Sequence, residues 1–148
     1  METEKLQKVL KNQHVLFDTN IFIKAYENFN AFSKILYLLK DCDCQIVHFP
    51  LVEFEFTRNS FMPKHRIERE NFIKKIASLS LPFSSELIDN ALKIAQIYAH
   101  KNIPNNQISL VDCCIAAYLM QHAGRLYLLT LNHKDFPVIL LDDTECFE

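Results

Sequence analysis

Carboxylates stand at four separate points of this sequence, each near the end of an apolar run or the start of a helical one. Asp18 follows the apolar stretch His14 to Phe17, within Phe17-Asp18-Thr19-Asn20. Glu53 and Glu55 come after Pro50, which closes a second such stretch, Gln45 to Phe49. Asp112 lies three residues after Ser109, and Asn132 and Asp135 follow the apolar run Leu126 to Leu131. Carboxylates repel one another and share a site only where something neutralises them. A hard divalent cation such as Mg²⁺ or Mn²⁺ does so, because it prefers oxygen ligands. Such an ion also makes bound water more acidic and steadies charge developing on a phosphoryl group. Metal-assisted hydrolysis of a phosphate ester is the chemistry these residue types support. Each residue also has a structural role open to it. Asp18 and Asn20 could cap the next helix, and Asp112 could complete a capping box with Ser109. Glu55 could be a solvated helix residue and Asp135 a turn residue.

To meet, these residues need a scaffold that gathers the ends of distant strands. Leu6, Val9 and Leu10 recur at helical spacing within residues 3–11. His14 to Phe17 and Gln45 to Phe49 read as strands, the second stopped by Pro50. Phe29 to Lys40 reads as a helix with Phe32, Ile35, Leu36 and Leu39 on one face. Further helices are expected over Leu51 to Arg58 and Lys64 to Leu79. Ser84 to Lys101 is another, with Ser84 as N-cap and a stripe of Leu87, Ala91, Ile94, Ala95 and Tyr98. Ser109 to His122 is the last, ending at Gly124 near its C′ position. Leu126 to Leu131 and Val138 to Leu141 suit buried strands. Short apolar strands alternating with helices predict an α/β sandwich around a parallel sheet. In such folds the functional crevice lies at the carboxyl ends of the strands.

Composition narrows the function further. At 148 residues the chain suits one domain, and 49% hydrophobic residues can fill a core. A net charge of -2 gives no global basic field, although bound metal would mask the charge of acidic ligands. The single glycine excludes both a dinucleotide-binding fingerprint and a P-loop, which need several. The five cysteines, spaced C-x-C and C-C apart from Cys146, match no zinc pattern and read as reduced thiols. The stretch Met1 to Gln13 is charged rather than signal-like, and no apolar run approaches the ~20 residues of a membrane span. The expectation is a cytoplasmic protein without a membrane segment.

Three stretches together resemble a known family. His14-Val15-Leu16-Phe17-Asp18-Thr19-Asn20-Ile21-Phe22 is similar to the opening of a PIN domain. Ser109-Leu110-Val111-Asp112-Cys113-Cys114-Ile115-Ala116-Ala117 resembles its third acidic motif, and Leu128-Leu129-Thr130-Leu131-Asn132-His133-Lys134-Asp135-Phe136 its closing T-x-N-x-x-D-F motif. For the second motif, a glutamate in the helix after strand two, Glu55-Phe56 fits best and Glu53 competes. The resemblance runs from His14 to Leu141. It implies a PIN-like three-layer α/β sandwich, a central mostly parallel sheet flanked by helices, with residues 1–148 forming one nuclease domain and 1–13 an N-terminal helical extension. It also implies a Mg²⁺- or Mn²⁺-dependent endoribonuclease. Asp18 and Asp112 would bind metal directly, and Glu55 and Asp135 would complete the site. Asn20, Thr130 and Asn132 would orient ligands or substrate. Many small bacterial members are VapC-like toxins of toxin–antitoxin pairs, so an antitoxin partner and a homodimer are expectations of the resemblance too.

A run of basic residues in mid-chain, with Arg58, Lys64, Arg66 and Arg69 foremost, is the candidate RNA surface. Phosphate contacts there would supply affinity but little sequence choice; the same residues also read as a solvated helix face. Two other functions compete. One is a catalytically inactive PIN-like domain that binds RNA or protein. The other is a haloacid-dehalogenase-like phosphatase, which wants Asp-x-Asp where this chain has Asp18-Thr19-Asn20.

Overall fold

The computed structural model describes residues 3–58, 62–100, 109–122, 124–131 and 144–146. Its helices are α1 (Thr3–Leu10), α2 (Thr19–Glu27), α3 (Phe29–Asp41), α4 (Pro50–Thr57), α5 (Pro63–Ile76), α6 (Ser85–His100) and α7 (Leu110–Gln121). Its strands are β1 (His14–Phe17), β2 (Gln45–His48), β3 (Leu79–Ser80), β4 (Leu126–Thr130) and β5 (Thr144–Cys146).

Local chemistry sets many of these boundaries. Pro50 and Pro63 open α4 and α5, where a fixed φ helps and the missing N–H is not needed. Ser84 Oγ accepts the Leu87 N–H at 3.2 Å ahead of α6. Gly124, at φ 79, turns the chain two residues beyond the His122 C-cap of α7 and into β4.

The strands form one sheet in the order β3-β2-β1-β4-β5, and every neighbouring pair is parallel. The chain steps outward from β1 to β2 to β3, then returns to the other side of β1 for β4. Parallel crossovers are right-handed, so the helices of the outward steps and those of the return lie on opposite faces. The packing agrees: α2 touches α3, α4 and α5, whereas α6 touches α7. The result is the expected PIN-like three-layer α/β sandwich. Val15, Leu16, Phe17, Leu128 and Leu129 are all buried, because helices cover both faces of the central strands. On one face Phe17 meets Phe22 and Phe32, with ring centroids 5.5 and 5.7 Å away. No helix among the described residues is long and apolar enough to cross a membrane.

Several boundaries differ from the sequence expectation. The helix expected to reach Leu79 ends at Ile76, because Ala77 turns extended and Leu79–Ser80 joins the sheet edge as β3. A two-residue strand has no periodicity to betray it. Ala95, expected in the apolar stripe of α6, is exposed, while Leu87, Ala91 and Ile94 are buried. The strand expected at Val138 to Leu141 lies outside the described residues, and β5 pairs with β4 further along the chain.

Candidate active site

The strand order reverses at β1, whose neighbours β2 and β4 are entered from opposite directions along the chain. In open parallel sheets the functional crevice is found at such a switch point, here the carboxyl ends of β1 and β4. Asp18 and Thr130 stand at those strand ends. The backbone of Asp18 remains extended, and its N–H donates to Leu129 of β4 at 3.1 Å. It serves as the N-cap of α2, with Oδ1 accepting the Thr19 N–H at 2.7 Å. Its other oxygen, Oδ2, accepts from Thr130 Oγ1 at 2.9 Å. Thr130 is fully buried and Asp18 is 5% exposed. Charge-assisted hydrogen bonds of this kind are the strong ones, and here they lock the carboxylate in one orientation.

Thr19 extends the cluster to a second carboxylate. Its hydroxyl donates to Glu55 Oε1 of α4 at 2.7 Å, while its own N–H holds Asp18. One residue therefore fixes two acids from segments 36 positions apart. Thr19 was not among the sequence candidates. Its signal was a hydroxyl directly after Asp18, which reads equally well as the first residue of a helix.

The two competing glutamates separate in space. Successive helical residues turn by about 100°, so Glu53 and Glu55 project to different sides of α4. Glu53 Oε2 lies 3.8 Å from Nδ1 of His48, at the end of β2. Burial lowers the His48 pKa below its ordinary value of 6.5, and Glu53 partly opposes the shift.

Asp112 opens α7 in a capping box with Ser109. Ser109 Oγ accepts the Asp112 N–H at 3.1 Å, and Asp112 Oδ2 accepts the Ser109 N–H at 3.4 Å. Asn20 is half-buried in the first turn of α2. Asn132 and Asp135 lie outside the described residues. The structure thus brings together Asp18, Thr19, Glu55 and Thr130. Among the described residues, no three His, Cys, Asp or Glu side chains stand close enough to hold a metal ion. The donors of the Asp18–Glu55 pair are carboxylate oxygens, which suit Mg²⁺ or Mn²⁺ and offer nothing to a metal that prefers sulfur. Cys42, Cys44, Cys113 and Cys114 are free thiols, and burial pushes Cys44 and Cys114 up to about 11.

The basic segment divides. Arg58, Lys64 and Arg66 are exposed, and Arg66 lies 3.7 Å from Glu70 on the same helix. Arg69, expected at the RNA surface, turns inward instead. It donates to the Phe56 carbonyl at 2.8 Å and lies 5.2 and 5.1 Å from the ring centroids of Tyr26 and Phe56. A guanidinium covers aromatic faces well, and this one joins α2, α4 and α5.

The parallel α/β sandwich is a class of architecture that solved structures share. The chain is similar to one in the crystal structure of VapBC2 from Rickettsia felis bound to a DNA fragment from their promoter. The TM-score is 0.68 at 19% identity, over 91% of this chain and 99% of that one. At that identity the likeness is one of fold. No protein-family model matches the sequence, and no curated protein matches it.

Proposed function

We propose that this protein is a metal-dependent endoribonuclease of the PIN type and the toxin of a toxin–antitoxin pair. The observation that carries the reading is the Asp18–Thr19–Glu55 cluster at the sheet's switch point, with Thr130 bracing Asp18 from β4. The motif resemblance and the fold shared with a VapBC2 chain support it.

In this reading Asp18 and Glu55, with Asp112 and Asp135, would hold Mg²⁺ or Mn²⁺. The bound ion would supply the Lewis acidity that readies water for in-line attack on phosphorus. Thr19 and Thr130 keep the Asp18 carboxylate from rotating, so little reorganisation is needed as charge develops. Arg58, Lys64 and Arg66 would contact phosphates of the RNA. A small antitoxin protein and a second copy of the chain are the partners this reading expects, and its setting would be the cytoplasm.

A PIN-like domain that binds RNA or protein without cutting is the second reading. It is favoured by the structural duties of the same acids, since Asp18 caps α2 and Glu55 accepts the Thr19 hydroxyl. One assay separates the two. Purified protein is incubated with RNA in Mg²⁺, in Mn²⁺ and in chelator, beside Asp18→Asn and Glu55→Gln. Cleavage that needs the metal and falls by about 100-fold or more in either variant supports the nuclease. RNA left intact in both metals would leave the binding domain as the function.

A further inference from the structure

A cavity of about 290 Å³, lined by none of the residues of the acidic cluster, runs between the start of β1 and β4 and the edge strand β3. Three basic side chains line it: His14, the first residue of β1; His122, the C-cap of α7; and Arg125, which leads into β4. Leu79, Leu81 and Leu126 supply apolar walls. The register explains the apolar part. His14 pairs with Leu126, Leu16 with Val47, and Val47 with Leu79. With side chains alternating along a strand, His14, Leu126 and Leu79 all face the side opposite Phe17 and its α2 and α3 partners. The cavity therefore starts at the amino ends of β1 and β4, where α7 terminates, and reaches across that face of the sheet to β3.

The basic residues are tied together by backbone. The His14 N–H donates to the Arg125 carbonyl at 3.0 Å, and the Arg125 N–H to the His122 carbonyl at 2.9 Å. None of the described lining residues is acidic. The ion pairs among the described residues, His48–Glu53 and Arg66–Glu70, involve none of the three. A guanidinium and two imidazoles thus face an apolar-walled space with no carboxylate partner among the described residues. Arg is suited to bidentate recognition of phosphate or carboxylate. The volume is close to the lower end for small-molecule sites, roughly 300 Å³.

We propose that this cavity is a binding site for a small organic anion, an apolar ring bearing a phosphate or carboxylate group, separate from the acidic cluster. The anionic group meets Arg125, His14 and His122, and the ring lies against Leu79, Leu81 and Leu126. The competing role for Arg125 and His122 is structural, since basic side chains also suit the negative end of a helix such as α7.

Phenyl phosphate is the probe, titrated by calorimetry into the full chain without divalent cations, with phenol and inorganic phosphate as the half-ligands. The expected result is saturable binding of phenyl phosphate, at least tenfold tighter than either half-ligand. Arg125→Gln and His14→Gln each weaken it at least tenfold with melting temperature preserved, while Asp18→Asn binds as the parent does. Absence of saturable binding overturns the proposal. So does binding that survives both Arg125→Gln and His14→Gln, or that is lost in Asp18→Asn alone, which would move the ligand to the acidic edge.

Discussion

Thr130 Oγ1 donates a 2.9 Å hydrogen bond to Asp18 Oδ2, joining the carboxyl ends of two adjacent parallel strands whose residues lie 112 positions apart. The bond spans the point where the strand order reverses, and it is buried. It couples the sheet's stability to the orientation of a carboxylate that is buried at the strand end.

Thr130→Val keeps the shape and removes the donor. Taking one partner from a buried polar pair costs about 1–3 kcal/mol, so urea unfolding should show a loss in that range. In the nuclease reading RNA cleavage falls as well. A variant as stable as the parent would mean that the bond contributes nothing net to the fold.

Thr19 offers a sharper test, because its hydroxyl contacts Glu55 and its N–H is untouched by side-chain replacement. Thr19→Val should release Glu55 while Asp18 keeps its backbone donor. Residues that orient metal ligands typically change metal affinity or activity by about 10–100-fold. The expected outcome is a drop of that order in Mn²⁺ affinity, read from the metal-induced rise in melting temperature, and in kcat. Thr19→Ser should restore both. A serine variant as impaired as the valine one would point to packing by the methyl group instead.

Asp112→Asn distinguishes the two uses of that side chain. As a helix-terminal charge it contributes about 0.3–1 kcal/mol, and asparagine can still accept the Ser109 N–H. Stability should therefore change by less than 1 kcal/mol on the same scale. As a metal ligand it should lose about 100–1,000-fold in cleavage. Cleavage at the parent's rate would leave Asp112 a capping residue alone.

The inward turn of Arg69 predicts a split within the basic segment. Arg69→Ala gives up a hydrogen bond from a charged donor, about 1.5–3 kcal/mol, and two ring contacts, so it should destabilise by roughly 2 kcal/mol or more. Arg66→Ala loses only an exposed ion pair and should cost under about 1 kcal/mol. If Arg66 contacts phosphate, its loss should reduce the salt dependence of RNA binding by roughly 0.7 in slope. Equal destabilisation by the two changes would contradict the placement of Arg69.

His48 gives the fold a pH dependence of definite sign. Burial keeps its pKa below 6.5 in the folded protein. Above 6.5 the ring is neutral in both folded and unfolded chains and contributes no slope. As pH falls through 6.5 the unfolded chain takes up the proton first, so stability declines until the lower folded value is passed. The urea midpoint of the parent should fall more between pH 7.5 and 5.5 than that of His48→Gln. Parallel declines would assign the slope to other groups.

The amino-acid order alone determined the alternation of strands and helices, because apolar periodicity and caps act over a few residues. It made Asp18 visible directly after a buried strand, Asp112 visible beside Ser109, and Ser84 readable as the cap of α6. Only the tertiary structure decided which of these meet. Glu53 and Glu55 are two residues apart and chemically alike, and the packing of α2 on α4 puts Glu55, not Glu53, on Thr19. Arg66 and Arg69 read alike in a basic run, yet Tyr26 and Phe56, from two other helices, draw Arg69 inward. β3 was invisible because two residues carry no period, and the sheet edge beside β2 supplies the hydrogen bonds that define it. In each case the deciding contact comes from residues distant in sequence, so no local pattern of charge or apolarity encodes it.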